Sequence, residues 1–318
     1  MGKKLSKIDW RMNNNEDHVL AGLGANGFVR ILAAETTGIV AEAADIHSTS
    51  ALATAALGRT LTAAVLFAKQ LKNDSDSVTL QIKGRGPLGG IVAVARPDGG
   101  VKGYIVHPEV ELPLNSIGKL DVGGGIGKGF ITVIKDMGMK EPYVGTSALI
   151  SGEIAEDISY YLMQSEQVPS VVALGVRLVP YEGDPKDGKP FTVEKAGGFM
   201  LQLMPGADES LIDTLEATVS GMPSVTTLLS AGATIDNIIE DIFRNLGDLT
   251  LTRSECMYSC TCSRERMANA LRLIGTADLD EIIEDGRGAE LKCDFCRNKF
   301  FFTNEDLVEI RKTAKITK

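Results

Sequence analysis

Cys260-Thr261-Cys262, then thirty residues, then Cys293-Asp294-Phe295-Cys296: this stretch decides how the C-terminal part of the chain folds. All five cysteines of the 318-residue protein lie within it or just before it. Four of them spell CxC…CxxC. Two thiolates two or three positions apart can bind one metal from a tight knuckle, and two such pairs complete a tetrahedral all-cysteine shell, which points to Zn2+. A shell made only of thiolates is both a structural staple and an oxidisable group. Cys256 is the fifth thiol. It lies four residues before Cys260, so on a helix the two would share a face. It could enter the shell, serve as an auxiliary oxidisable thiol, or be inert; the last two are preferred.

Around the cysteines, residues 256–318 read as a zinc-binding domain. Arg264–Leu273 and Asp278–Glu284 have helical patterns. Leu291–Cys293 and Lys299–Phe302 would flank the CxxC knuckle as a hairpin. Thr303-Asn304-Glu305-Asp306 offers a capping box to a last helix ending near Lys312. So small a unit with modest apolar content is marginal without a staple. Zinc would add roughly 10–16 kcal/mol of apparent binding energy, which here is folding energy.

One step outward, residues 206–255 change character. They carry nine Asp/Glu against two Arg, a net charge of −7 out of −9 for the whole chain. Apolar residues recur at helical spacing: Leu211, Ile212, Leu215, Val219, then Ile235, Ile238, Ile239, Ile242, Phe243, Leu246. Asp208 and Thr234 are expected N-caps and Gly247 a C-terminal stop. The segment is expected to be an acidic linker of two or three short amphipathic helices, each needing a cover for its apolar face. It reads either as a helical linker packed on the first domain or as a metastable segment that opens when its neighbour fails.

Before Pro205-Gly206, residues 1–205 read as one domain. Strands are expected over 28–35, 78–84, 90–96, 101–107, 129–135, 171–179 and 198–204, with helices over 49–71 and 151–165. Hairpin signals such as Asp98-Gly99-Gly100 outnumber βαβ units, so the fold class is α+β with a largely antiparallel sheet. The three-part organisation is then 1–205, 206–255 and 256–318.

Several function classes fall away. The charge of −9 opposes nucleic-acid binding, which needs a basic footprint. Residues 256–318 balance eleven Lys/Arg against eleven Asp/Glu, and four zinc-bound thiolates would add about two negative charges. The chain's N-terminus is charged and has no apolar h-region, so no signal peptide is expected. No run of eighteen uncharged apolar residues occurs, so no membrane span is expected. Met1-Gly2 with Ser6 matches the short N-myristoylation pattern. Clustered cysteines without an export signal favour a reducing, cytoplasmic setting.

Gly84-Arg85-Gly86-Pro87-Leu88-Gly89 spells GxGxxG, but Pro87 and the β-branched Ile91-Val92 imply strand–turn–strand rather than a dinucleotide site. Gly123–Gly129 fails the phosphate-loop spacing at both ends and reads as a turn or bulge. No nucleotide partner is expected. His18, His47 and His107 are scattered. No catalytic constellation is visible, so no enzyme is expected.

The chain resembles the redox-regulated holdase chaperones, the thirty-three-kilodalton heat-shock class of bacteria. The residues that carry the likeness are CTCSRER at 260–266, CDFC at 293–296, GRGPLGG at 84–90, DVGGGIGKGFITVIKDMG at 121–138, PYVG at 142–145, SGEIAED at 151–157 and GGFMLQLMP at 197–205. They span essentially the whole chain. The resemblance implies an ATP-independent chaperone that holds unfolding client proteins under oxidative stress and is active as a homodimer through its N-terminal domain. It implies one Zn2+ on Cys260, Cys262, Cys293 and Cys296. On oxidation it implies disulfides Cys260–Cys262 and Cys293–Cys296, loss of zinc and unfolding of the linker. Leu211, Leu215, Ile238, Ile242 and Phe243 would then face clients. Cys256 departs from the family tetrad. Two other readings compete: a constitutive zinc-ribbon adaptor without redox switching, and a thiol oxidoreductase working through Cys293-Cys296.

Overall fold

The structure, a computed structural model, describes residues 17–184, 188 and 190–313. The acylation pattern at Met1–Ser6 lies outside them. By packing, the chain falls into two compact units, Met1–Ser259 and Cys260–Lys318.

In the first unit the elements run β1 (His18–Gly24), β2 (Val29–Glu35), α1 (Thr37–His47), α2 (Ala51–Ala68), β3 (Ser77–Gly84), β4 (Gly90–Ala95), β5 (Gly100–Ile105), α3 (Val122–Ile126), β6 (Gly129–Asp136) and β7 (Tyr143–Ala148). They continue with α4 (Ala155–Tyr161, extended by a π turn over Leu162–Glu166), β8 (Ser170–Pro180), β9 (Phe191–Leu203), α5 (Ser210–Ser220), α6 (Val225–Ser230), α7 (Ile235–Phe243), β10 (Thr250–Glu255) and β11 (Met257–Tyr258).

Two sheets result. One has the order β10-β1-β2-β9-β8, the other β11-β5-β4-β3-β6-β7. Every pairing is antiparallel except the two-residue parallel contact of β11 with β5. The α+β class with antiparallel sheets is therefore what the chain adopts.

Alternation along the strands builds two cores. On β2, Leu32 and Ala34 face the main core while Val29, Ile31 and Ala33 face a second one. On β9, Met200 points to the first and Phe199 and Leu201 to the second. A period of two puts successive side chains on opposite faces, so one sheet serves two cores.

Helix α2 fills the main core. Ser50 caps it by accepting the Ala53 N–H at 3.1 Å. All its residues except Ala51 and Arg59 are buried. By length and composition it could cross a membrane, which a search for uncharged runs misses because Arg59 interrupts it. Being 89% buried inside the protein, it reads as a core helix.

Helices α5 to α7 cover the other face of the first sheet. Leu215, Val225, Leu229, Ile235, Ile238, Ile239, Ile242 and Phe243 are buried against Leu20, Ile31 and Phe199. Thr234 caps α7 through a capping box with Asn237. Elsewhere the expected ends shift. Asp208 sits one residue before the N-cap of α5, bound to the Ser210 amide and hydroxyl. Helix α7 stops at Phe243, and Gly247 (φ +100°) turns the chain three residues after the Arg244 C-cap.

Two other elements depart from expectation. The helix expected from Ser151 starts at Ala155, because the Asp157 carboxylate draws the N–H groups of Ile150, Ser151, Gly152 and Ile154 into a turn. Ile154 holds φ +67° there. The Gly123–Gly129 run contains the short helix α3, with Asp121 accepting the Gly124 N–H. Its glycines are needed for close approach: a Cβ on Gly86 would lie 2.3 Å from the Gly125 carbonyl oxygen. The GxGxxG stretch is the strand–turn–strand expected, linking β3 to β4.

The second unit contains α8 (Arg264–Leu273), α9 (Thr276–Asp285), the hairpin β12 (Ala289–Lys292) and β13 (Lys299–Phe302), and α10 (Asn304–Lys312). Thr303 and Asp306 form the expected capping box. The core is small: Leu271, Leu279, Phe302, Leu307 and Ile310.

Candidate metal centre

The first thiolate pair precedes α8. Ser263 caps that helix by accepting the Arg266 N–H at 3.2 Å, so Cys262 stands at a fixed helix start. The second pair sits on the β12–β13 turn. The Cys293 amide donates to Asn298 O at 2.9 Å and the Arg297 amide to Cys293 O at 2.8 Å. Arg297 adopts the left-handed conformation, φ +59°, that closes this knuckle.

The four Sγ atoms lie within 4.8 Å of one another. Cys260 is 3.7 Å from Cys293, and Cys262 is 3.3 Å from Cys296. Zinc–sulfur bonds of about 2.3 Å in a tetrahedron place sulfurs about 3.8 Å apart. The donor set and its spacing therefore fit one thiophilic metal ion, and all four cysteines are free thiols. Among the described residues no other group of His, Cys, Asp or Glu is assembled in this way.

The sulfurs are not electrostatically alike. Burial pushes the Cys293 thiol up, but the amides of Cys296 and Phe295 together with hydrogen bonds to the Cys296 and Cys260 sulfurs hold the group below its ordinary value. Burial raises Cys260 and Cys262. It pushes Cys296 up to about 11, against the pull of the Asn298 amide. A bound cation reverses that logic by stabilising every thiolate.

Arg264 and Asp306 also belong to the framework of this site. The Arg264 guanidinium donates to Phe301 O at 2.6 Å and to Asp306 Oδ2 at 2.7 Å, tying the start of α8 to the strand after the second knuckle. The CTCSRER motif contains this arginine, but no spacing rule marks it as a clasp. Arg266 donates to Thr261 Oγ1 at 2.5 Å, bracing the residue between the first two cysteines.

Cys256 is placed elsewhere. It is not helical with Cys260 but lies between β10 and β11, 5% exposed, in the main core of the first unit. Burial pushes its thiol far above the ordinary value, with Asp17 adding to the effect. Leu215, Ile238, Ile242 and Phe243 are buried in the second core of that unit, and Leu211 is partly buried beside them.

The Hsp33 protein family profile matches residues 17–303. The 33 kDa chaperonin of Ruminiclostridium cellulolyticum is 48% identical over 93% of this chain and 98% of its own length. That of Acetivibrio thermocellus is 45% identical over 95% of this chain and 99% of its own length. The crystal structure of the 33 kDa chaperonin (heat shock protein 33 homolog) from Thermotoga maritima superimposes with a TM-score of 0.83 at 34% identity, covering 94% of this chain and 98% of that one. With a matching fold, a matching length and a four-cysteine centre, the chain belongs to the Hsp33 family of chaperones.

Proposed function

We propose that this chaperone is an ATP-independent holdase switched on by oxidation. The observation that carries the proposal is the pairing of two features: four thiols gathered for one metal, and acidic helices whose apolar faces are covered at rest. The metal is zinc, chosen by the all-thiolate tetrahedral set. When bound, it keeps the four sulfurs deprotonated, hence nucleophilic toward oxidants.

Each disulfide forms when a thiolate pair gives two electrons to a peroxide. The peroxide O–O bond breaks and, with two protons, leaves as two waters. The pairs assigned are Cys260–Cys262 and Cys293–Cys296. Consuming the thiolates removes the ligands and with them the binding energy that supports the small C-terminal fold. Release of α5 to α7 then presents Leu211, Leu215, Ile238, Ile242 and Phe243 to unfolded clients. The net charge of −7 over residues 206–255 keeps the loaded complex soluble. In this division of roles, 1–205 is the core and dimerisation part, 206–255 the linker and 256–318 the switch. The protein works in the cytoplasm as a homodimer, without nucleotide, nucleic acid or membrane, and is not an enzyme.

The test is to follow zinc release with a chromogenic chelator while peroxide is added under mild heat, scoring aggregation of a denatured client in the same samples. Zinc loss in step with client protection supports the switch. Zinc retention, or zinc loss without protection, leaves a constitutive zinc module and sinks it.

A further inference from the structure

One end of the second sheet sets like charges against each other. Strands β3 and β6 pair antiparallel, with Lys83 opposite Phe130. The Arg85 N–H donates to Lys128 O at 2.9 Å, which continues the ladder and sets Arg85 opposite Lys128. The strand period of two puts Lys83, Arg85, Lys128 and Phe130 on one face. It is the outer face, because Leu80, Ile82, Ile131 and Val133, of opposite parity, point into the main core. All three cations are exposed, and Phe130 is 57% exposed. Small residues flank them: Gly90 of β4 stands opposite Lys83 and Ala148 of β7 opposite Phe130.

This arrangement costs stability within the chain. Like charges directly opposite on neighbouring strands repel. Among the described residues none of the three cations is held in an ion pair. The segments 83–90 and 124–130 contain these cations and no Asp or Glu, in a chain with 42 acidic residues against 33 Lys and Arg. The mount is also rigid. A Cβ on Gly84 would lie 1.9 Å from Ile126 O, and one on Gly129 1.9 Å from Lys83 O, so the backbone beneath the cations is packed too closely to shift. A fixed group of uncompensated charges beside an exposed ring is preorganised for a partner of opposite sign.

We propose that this face is a docking surface for an acidic polypeptide segment: its carboxylates neutralise Lys83, Arg85 and Lys128, and an apolar residue beside them covers Phe130. The sign of the partner follows from charge complementarity. Its class follows from scale. Three cations on a chain of net charge −9 suit a few carboxylates, whereas a nucleic acid needs a broad basic footprint. Helices α5 to α7 cover the first sheet, so this face of the second is open in the reduced chain. Docking here does not depend on oxidation, zinc or client holding.

The test uses the reduced full-length chain with zinc. Fluorescence anisotropy follows a labelled acidic peptide of glutamate and leucine, with a lysine–leucine peptide and a single-stranded DNA oligonucleotide as competing probes. The acidic peptide alone is expected to bind, more weakly as salt rises from about 0.05 M to about 0.3 M. Arg85→Glu and Lys128→Glu should each weaken it about 3- to 10-fold. Phe130→Ser should weaken it with the salt response retained. Each charge reversal also turns a repelling pair into an attracting one, so the thermal transition of the first unit should stay level or rise. That readout shows that a loss of binding is not a loss of fold, and Lys128→Glu decides the matter if the Arg85 variant is unstable. No binding of the acidic peptide, equal binding by the charge-reversed variants, or preference for the DNA overturns the proposal. Because the chain is reduced throughout, these outcomes are separate from whether the holdase reading survives.

Discussion

Arg264 lies over the Phe302 ring, 4.3 Å from its centroid. The arginine stands two residues after Cys262 and the phenylalanine six after Cys296, so the stack joins the two halves of the metal module without using the metal. An exposed cation–π contact contributes about 0.5–1 kcal/mol, and the fork to Phe301 O and Asp306 adds hydrogen bonds of about 1 kcal/mol each. Arg264→Ala is expected to lower the stability of the zinc-loaded second unit by about 1–3 kcal/mol, read as a shift in its own thermal transition. Arg264→Lys should recover less than half, because an ammonium lacks the planar fork.

The two classes of cysteine should separate cleanly under mutation. Cys293→Ser removes a ligand, and the second unit is expected to lose zinc and its dispersed NMR signals, with α5 to α7 loosening as the switch requires, while the sheets and α2 of the first unit keep theirs. Cys256→Ser should retain one zinc per chain and instead destabilise the first unit by about 1–3 kcal/mol, the cost of a hydroxyl in an apolar site. Zinc content by elemental analysis and unfolding of the first unit measure both.

Asp157 is fully buried and receives four backbone N–H groups. Asp157→Ala would strand those donors, at about 1–3 kcal/mol apiece before water enters. A loss of about 3 kcal/mol or more in denaturant unfolding is expected, making this one of the least tolerant positions in the first unit. A variant within about 1 kcal/mol of wild type would mean that the turn finds other acceptors.

Phe243 is 2% exposed at the end of α7. Phe243→Ala is expected to cost about 3–5 kcal/mol in packing, concentrated in the docking of α5 to α7. If those faces hold clients, the reduced, zinc-loaded variant should suppress client aggregation without oxidant. Light scattering of a heat-denatured client checks this directly.

Asp17 gives a pH prediction of defined sign. Burial raises its carboxyl to about 6, against the opposing pull of the Gly38 and Ile39 amides. A folded value above the ordinary 3.8 means that stability from this group is fully present below about pH 4 and is lost as pH rises through 6. The change is about 3 kcal/mol. Asp17→Asn should flatten the part of the stability–pH curve between these values, and equilibrium unfolding at stepped pH would register it.

Legibility in the sequence follows the range of the forces involved. The metal centre is readable because thiolate spacing is local chemistry. So are Arg264–Leu273, the β12–β13 hairpin and the Thr303 cap, each set by its own few residues. Strands β1, β7 and β10 carry little local signal. They exist because a neighbour pairs with them, as β10 does with β1 from Thr250 to Glu255. Helix α1 leaves no local sign for a similar reason: its first-turn amides, Gly38 and Ile39, are bound by Asp17, 21 and 22 residues upstream. The burial of Cys256 and the His18–Asp236 contact depend on residues more than two hundred positions apart, which no periodicity records.

The segment before Cys260 occupies an outermost position in both sheets: β10 ends the first and β11 the second. Its bonds stand in series. Ser259 donates to Val101, Met257 to Gly99 and Cys256 to Asp17, and behind them the β10 ladder begins at Glu255 opposite His18. One short stretch beside the first metal knuckle thus closes an edge of both sheets, so fraying from Ser259 back to Glu255 would open the outer edges of β5 and β1 together.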